Sequence, residues 1–138
     1  MKLLSLDLGD RWIGSAISDA LKITCRPYKT VSIEELQTFL HQTLETEEIS
    51  TVIVGLPTTI QGKESAQTKK IMLEKEKLEK QFSTVNHREI KWLLWDERLS
   101  SKRADELKRK MGSKKDKLAN HSIAAAFILQ SYLDRISF

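Results

Sequence analysis

Cys25 is the only cysteine in the chain. No internal disulfide can form, and a reducing, cytoplasmic location is the expectation. No apolar run approaches the roughly 18 residues that a membrane span needs, so no membrane association is expected. The first residues, Met1-Lys2-Leu3-Leu4-Ser5-Leu6-Asp7, begin like a secretion signal but meet a carboxylate at once. Neither a long apolar stretch nor a small-residue cleavage site follows, so no signal peptide is expected. Zinc spacing of Cys and His is absent, with His41 on a polar helix face and His87 in a loop. No G-x-S-x-G element offers a serine nucleophile. The stretch Gly55 to Glu64 is not a phosphate-binding P-loop, because its glycine spacing is wrong and Glu64 stands where Ser or Thr is required. Internal repeats and low-complexity segments are also lacking.

What remains is a chain of 138 residues, 40% hydrophobic, which suits one compact domain spanning 1–138. Its net charge of +4 is unevenly placed. Between Lys102 and Lys117 stand eight basic residues, Lys102, Arg103, Lys108, Arg109, Lys110, Lys114, Lys115 and Lys117, against Asp105, Glu106 and Asp116. That segment carries +5 and the remainder −1. A localised basic field concentrates polyanions such as nucleic acid, although a solvated helix face also carries lysines.

The pattern predicts an α/β order. Lys2 to Leu8 alternates as a strand, with Leu4, Leu6 and Leu8 on one face and Leu3, Ser5 and Asp7 on the other. After the Gly9-Asp10 turn come short strands near Gly14–Ser18 and Tyr28–Val31. Ser32 and Glu35 form a capping box for a helix carrying Leu36, Phe39, Leu40 and Leu44. The β-branched run Thr51–Val54 predicts a buried strand. A charged helix is expected from about Glu64 to Phe82, a strand over Ile90–Trp95, and a helix over Ser101–Met111 stopped by Gly112. A basic loop, Ser113–Lys117, leads to a last helix from about Leu118 to Ile136. Three early strands with tight connections suggest an antiparallel meander, and two later strands reached through helices suggest parallel additions.

Three residues stand out chemically. Asp7 lies in a leucine-rich strand, where an ionised carboxylate is costly unless paired. At the carboxyl end of that strand it sits where open sheets keep their sites. The competing role is a hydrogen bond to the Gly9 turn. Asp96-Glu97-Arg98 follows the apolar strand Trp92–Trp95, and in extended chain Asp96 and Glu97 face opposite ways. Only one of them can then join Asp7; the competing role is a solvated turn. His121 opens the last helix, with Ala124, Ala125, Ile128 and Tyr132 on its face. Imidazole is a metal ligand and a general base, or alternatively a first-turn contact to the preceding loop.

Four segments, in order along nearly the whole chain, together resemble the YqgF, or RuvX, family of Holliday junction resolvase-like proteins. They are Asp7-Leu8-Gly9-Asp10-Arg11-Trp12-Ile13-Gly14 continuing to Ser18-Asp19; Val54-Gly55-Leu56-Pro57 with Gly62; Asp96-Glu97-Arg98-Leu99-Ser100-Ser101; and Ala124 to Leu133. The resemblance implies a ribonuclease H-like fold with a five-stranded mixed sheet, three strands antiparallel and two parallel, flanked by helices. It implies a nuclease related to RuvC that processes the 5′ end of the small-subunit ribosomal RNA precursor. By position, Asp7, Glu97 and His121 take the family's acidic catalytic and metal-binding sites. The family usually has aspartate at the third, so His121 is a departure that removes one negative charge and favours Mn2+ over Mg2+.

On that resemblance Asp7 bridges two divalent ions about 4 Å apart, and Glu97 and His121 complete one shell each. Arg11 and Arg98 contact phosphate oxygens, and Lys102, Arg103, Lys110, Lys114, Lys115 and Lys117 grip the backbone without reading bases. The expected partner is structured RNA or branched DNA, handled by a monomer or weak homodimer. Two other readings compete. One is a nucleic-acid-binding protein weakened in catalysis, which His121 favours. The other is a nucleotide phosphotransferase, since Asp-x-Gly also opens actin-like ATPase domains; those bind nucleotide between two domains, and this chain has room for one.

Overall fold

The computed structural model describes residues 1–57, 66–97, 102–111 and 117–136. A five-stranded sheet runs in the order β3-β2-β1-β4-β7. Its strands are β1 (Lys2–Leu8), β2 (Trp12–Ser18), β3 (Cys25–Ser32), β4 (Ile49–Leu56) and β7 (Lys91–Asp96). The first three pair antiparallel, β4 lies parallel to β1, and β7 lies parallel to β4. This is the mixed sheet expected from the order of elements. Between β4 and β7 stand a helix, α2 (Ala66–Gln81), and a hairpin of two-residue strands, β5 (Thr84–Val85) and β6 (Arg88–Glu89). Helices α1 (Leu36–Thr46), α3 (Lys102–Met111) and α4 (Lys117–Ile136) complete the chain.

The period-2 pattern of β1 decides which helices cover which face. Leu4, Leu6 and Leu8 enter a core with Phe39, Leu40 and Leu44 of α1 and Ile71 and Leu78 of α2. Leu3 faces the other way, into a core with Ala125, Ala126, Leu129 and Leu133 of α4. Ser5 shares that second face and loses no hydrogen bond to burial, because its hydroxyl donates to the Ala125 carbonyl at 2.6 Å.

The capping box forms as the sequence predicts. The Glu35 carboxylate accepts from the Ser32 N–H at 3.4 Å and from its hydroxyl at 2.7 Å. A single 3-10 turn, Ile33–Glu35, precedes the α-helix proper. The strand predicted over Tyr28–Val31 extends back to Cys25, across Pro27. Proline is admissible there because β3 is an edge strand. Opposite it the pairing slips between Gly14 and Ala16, and the buried Ser15 hydroxyl fills the gap, donating to the Lys29 carbonyl (2.6 Å) and accepting from the Lys29 N–H (3.0 Å).

The β5–β6 hairpin differs from the single loop expected around His87. Asn86 and His87 both take positive φ, 51° and 65°, as a two-residue hairpin turn requires. Arg88 then ties the hairpin to the body, donating at 2.9 Å to the carbonyls of Leu44 and Ile49. Elsewhere α2 is described from Ala66 and α4 from Lys117. The predicted helix start at Glu64, the residues Arg98 and Ser101, the Gly112 stop and the basic loop residues Ser113 to Asp116 lie outside the described residues.

Candidate functional site

Asp7 stands near the carboxyl end of the central strand, on the face that α4 covers. Its cross-strand neighbour on β2 is Gly14. On the other side Leu6 pairs with Val54, which brings the next residue, Gly55, alongside Asp7 on β4. Asp7 is therefore bracketed by two residues without side chains. Gly55 in turn pairs with Trp95 of β7, whose indole donates to the Ser131 hydroxyl of α4 at 2.9 Å and meets Tyr132 edge-on at 5.2 Å. Across the sheet the row reads Gly14, Asp7, Gly55, Trp95.

Both glycines are filled from elsewhere. A Cβ on Gly14 would collide with the backbone carbonyl of His121 and meet the Ser122 nitrogen at 2.7 Å, so the first turns of α4 lie directly on β2. A Cβ on Gly55 would collide with the end of Ile128 and lie 2.9 Å from the Glu97 carboxylate. Glu97 is held at this position by its backbone N–H, which donates to the Leu56 carbonyl at 3.2 Å.

The strand register separates the two acidic residues that the sequence left open. Asp96 pairs with Leu56, whose side chain packs against the core of α1 and α2. Glu97 has its carboxylate over Gly55, on the face of Asp7. Asp96, the last residue of β7, and Glu97, in the turn after it, thus lie on opposite faces, as expected.

His121 lies seven residues before Ile128 and eleven before Tyr132, on one flank of α4. Ile128 reaches Gly55 and Tyr132 reaches Trp95, so that flank looks across β1 toward β4 and β7. The residues pressed flat on the sheet are instead Ser122, Ala125, Ala126, Leu129 and Leu133. Of the residues that share the face of His121, Ala125 and Ile128 are buried, whereas Ala124 and Tyr132 are half-buried.

Burial pushes the Asp7 carboxyl above its ordinary value of 3.8, and the charge of nearby His121 pulls it partly back. Asp10, three residues on, is electrostatically the reverse case. It is exposed, pairs with Lys70 at 2.9 Å, and is held below its ordinary value by that hydrogen bond. Asp19 accepts from the N–H groups of Ile23 and Thr24 at 2.8 and 3.1 Å, and so shapes the turn between β2 and β3. An apolar groove of about 240 Å³, walled by Leu8, Ile13 and Ile71, opens on the opposite face and contains none of the three predicted ligands.

The predicted nucleic-acid contacts are only partly described. Arg11 is exposed beside the Gly9-Asp10 turn. α3 packs against α4 through buried Ala104 and half-buried Leu107, leaving Arg109 and Lys110 exposed. Arg98, Lys114 and Lys115, and the side chains of Lys102, Arg103 and Lys117, lie outside the described residues.

The model of the RuvX family, described as Holliday junction resolvase, matches residues 1–135. The chain belongs to the RuvX family. Three RuvX relatives, each named "Putative pre-16S rRNA nuclease", bear this out over nearly full length. That of Sulfurihydrogenibium sp. is 34% identical, covering 99% of this chain and 92% of its own. That of Koribacter versatilis is 35% identical (97% and 87%), and that of Geobacillus sp. is 33% identical (97% and 98%). Among solved structures, Thermus thermophilus RuvC in complex with a Holliday junction substrate superposes with a TM-score of 0.60 at 11% identity, covering 99% of this chain and 96% of that one. That likeness establishes the ribonuclease H-like fold.

Gly14 and Gly55 fall in the segments that resemble the first and second RuvX motifs. The space that each leaves is filled from elsewhere, by the start of α4 at Gly14 and by Ile128 and Glu97 at Gly55.

Proposed function

We propose that this chain is a divalent-metal-dependent nuclease that hydrolyses phosphodiester bonds in the 5′-end maturation of pre-16S ribosomal RNA. The observation that carries the proposal is Asp7, a half-buried carboxylate on the central strand with its pKa raised by burial, and a second carboxylate, that of Glu97, over the neighbouring Gly55. Family membership and the names of the relatives support the reading.

The residues present suit a divalent ion. Two carboxylates are oxygen donors that magnesium and manganese both accept, and an imidazole is a nitrogen donor that suits manganese better than magnesium. A cation would also offset the burial cost of ionised Asp7, which no hydrogen bond offsets among the described residues. No three His, Cys, Asp or Glu side chains among the described residues are gathered as a formed metal site. Ligation by Asp7, Glu97 and His121 together therefore needs Glu97 or His121 to turn toward Asp7. Divalent ions held there supply Lewis acidity to activate water and to neutralise the leaving oxygen. Asp7 contributes the buried negative charge, Glu97 the second carboxylate, and His121 a donor from α4. Arg11 and the exposed cations of α3 bind phosphate.

Two measurements test this reading. Purified protein is offered a pre-16S 5′ fragment and a four-way DNA junction with manganese or magnesium. Manganese-dependent cleavage of the RNA is expected; preference for the junction would move the substrate to DNA, and no cleavage of either would overturn the nuclease reading. Binding should also weaken linearly with the logarithm of salt. Replacing Arg109 and Lys110 together by Gln should lower that slope by roughly 1.5, on a scale of about 0.7 to 0.9 per phosphate neutralised. An unchanged slope removes α3 from the interface.

His121 favours a second reading, a binder weakened in turnover, because the family usually has aspartate there. The two are separated by His121→Asp. If the wild type is an enzyme, the added carboxylate should shift its preference from manganese toward magnesium by roughly tenfold or more. If the wild type is a binder only, manganese leaves its melting temperature unchanged. A cytoplasmic location follows from the proposed substrate; among the described residues no helix is long and apolar enough to cross a membrane.

A further inference from the structure

Gly55 has a position in the site but no assigned role in it. It lies beside Asp7 on the face of α4, and the space its missing side chain leaves is shared by two neighbours of different kind. One is the aliphatic end of Ile128, a packing contact; the other is the Glu97 carboxylate, 2.9 Å from where a Cβ would be. We propose that Gly55 is a positioning residue: its missing side chain lets the Glu97 carboxylate lie flat against β4 at the level of Asp7, which sets the separation of the two carboxylates.

The argument is geometric. Glu97 leaves the sheet one residue after β7, two strands away from Asp7. β4 lies between them. Any side chain at position 55 on this face would stand between the two carboxylates and lift Glu97 away from the sheet. The backbone of Glu97 is already fixed to Leu56 at 3.2 Å, so the side chain alone must take up the displacement. A carboxylate moved by an ångström no longer shares an ion with its partner, and disturbing a group that orients a ligand typically costs 10 to 100-fold in metal affinity.

The inference rests on the nuclease reading for its purpose but is tested separately from it. Gly55→Ala alone is ambiguous, because it also overlaps Ile128. Ile128→Val removes the overlapping Cδ1 methyl and leaves only the 3.0 Å approach to Cγ1, so the double variant Gly55→Ala/Ile128→Val relieves most of the packing clash and leaves the clash with Glu97. The wild type, both single variants and the double variant are compared by melting temperature, by manganese titration of that temperature, and by kcat and KM on the RNA fragment. Ile128→Val should behave as wild type in manganese binding. The double variant should recover most of the melting temperature that Gly55→Ala loses, yet bind manganese at least about tenfold more weakly, with kcat reduced and KM little changed. A double variant with the wild-type manganese midpoint would overturn the proposal and leave Gly55 a packing residue. Wild type that binds manganese without cleaving RNA would sink the nuclease reading alone, and the midpoint of the double variant would still decide the role of Gly55.

Discussion

Asp7→Asn should leave the protein more stable and without cleavage activity. The folded state raises the pKa of Asp7 above 3.8 because burial penalises its charged form. Between that ordinary value and the raised one, the folded chain holds a proton that the unfolded chain has released, so stability falls as pH rises through this window. The cost is fully present above the raised pKa and absent below 3.8. Asn carries no charge to desolvate, so the variant should gain about 1 kcal/mol at neutral pH, or about 3 °C in melting temperature. The gain should vanish at acid pH and shrink in saturating manganese, which stabilises only the wild type. Turnover should fall by about a thousandfold or more, as when a group that acts in the transition state is lost. Thermal melts at several pH values, beside cleavage assays, check both halves. A variant that is less stable at neutral pH, or that cleaves normally, would remove Asp7 from the site.

Gly14→Ala should be the most destabilising methyl that this site can receive. The atoms its Cβ would meet are the His121 carbonyl and the Ser122 nitrogen, all backbone within α4. Gly55 is bordered instead by side-chain ends, which can rotate. A helix cannot yield locally, so α4 must lift from β2 along the Ala125, Ala126 and Leu129 contact. We expect a loss of about 3 kcal/mol, roughly 10 °C in melting temperature, against about 1 to 2 kcal/mol for Gly55→Ala. Lifting α4 also carries His121 away from Asp7, so manganese should no longer stabilise the variant. Chemical denaturation of both alanine variants side by side measures the difference, and equal losses would show that α4 yields more easily than its packing suggests.

Much of this architecture was legible because local pattern and global burial agree. The alternation in β1 names the two faces correctly, since Leu4, Leu6 and Leu8 really do meet a different core from Leu3. The capping box at Ser32 and Glu35 depends on four consecutive residues and needs no tertiary information. The β5–β6 hairpin was missed because two-residue strands carry no periodicity, and its anchor, Arg88, bonds to carbonyls about forty residues away. The candidate residues of the site could be named from the sequence, but their arrangement could not. Asp7 and Glu97 could be read as strand-end carboxylates, and alternation put Asp96 and Glu97 on opposite faces. Choosing between them needed the register of β7 against β4. The use of Gly14 and Gly55 was invisible because it depends on what approaches them from 107 and 42 residues further along the chain.

Those same separations matter while the protein is being made. Asp7 is synthesised 114 residues before His121. At typical elongation rates that interval is on the order of 10 s. The central strand, β1, borders β2 within the first few residues, but its other flank waits for β4, and the face of Asp7 stays open until α4 docks. A partly synthesised chain therefore carries Asp7 without Glu97 and His121. Under the proposed function, the growing polypeptide cannot assemble its three candidate ligands until α4 has been made.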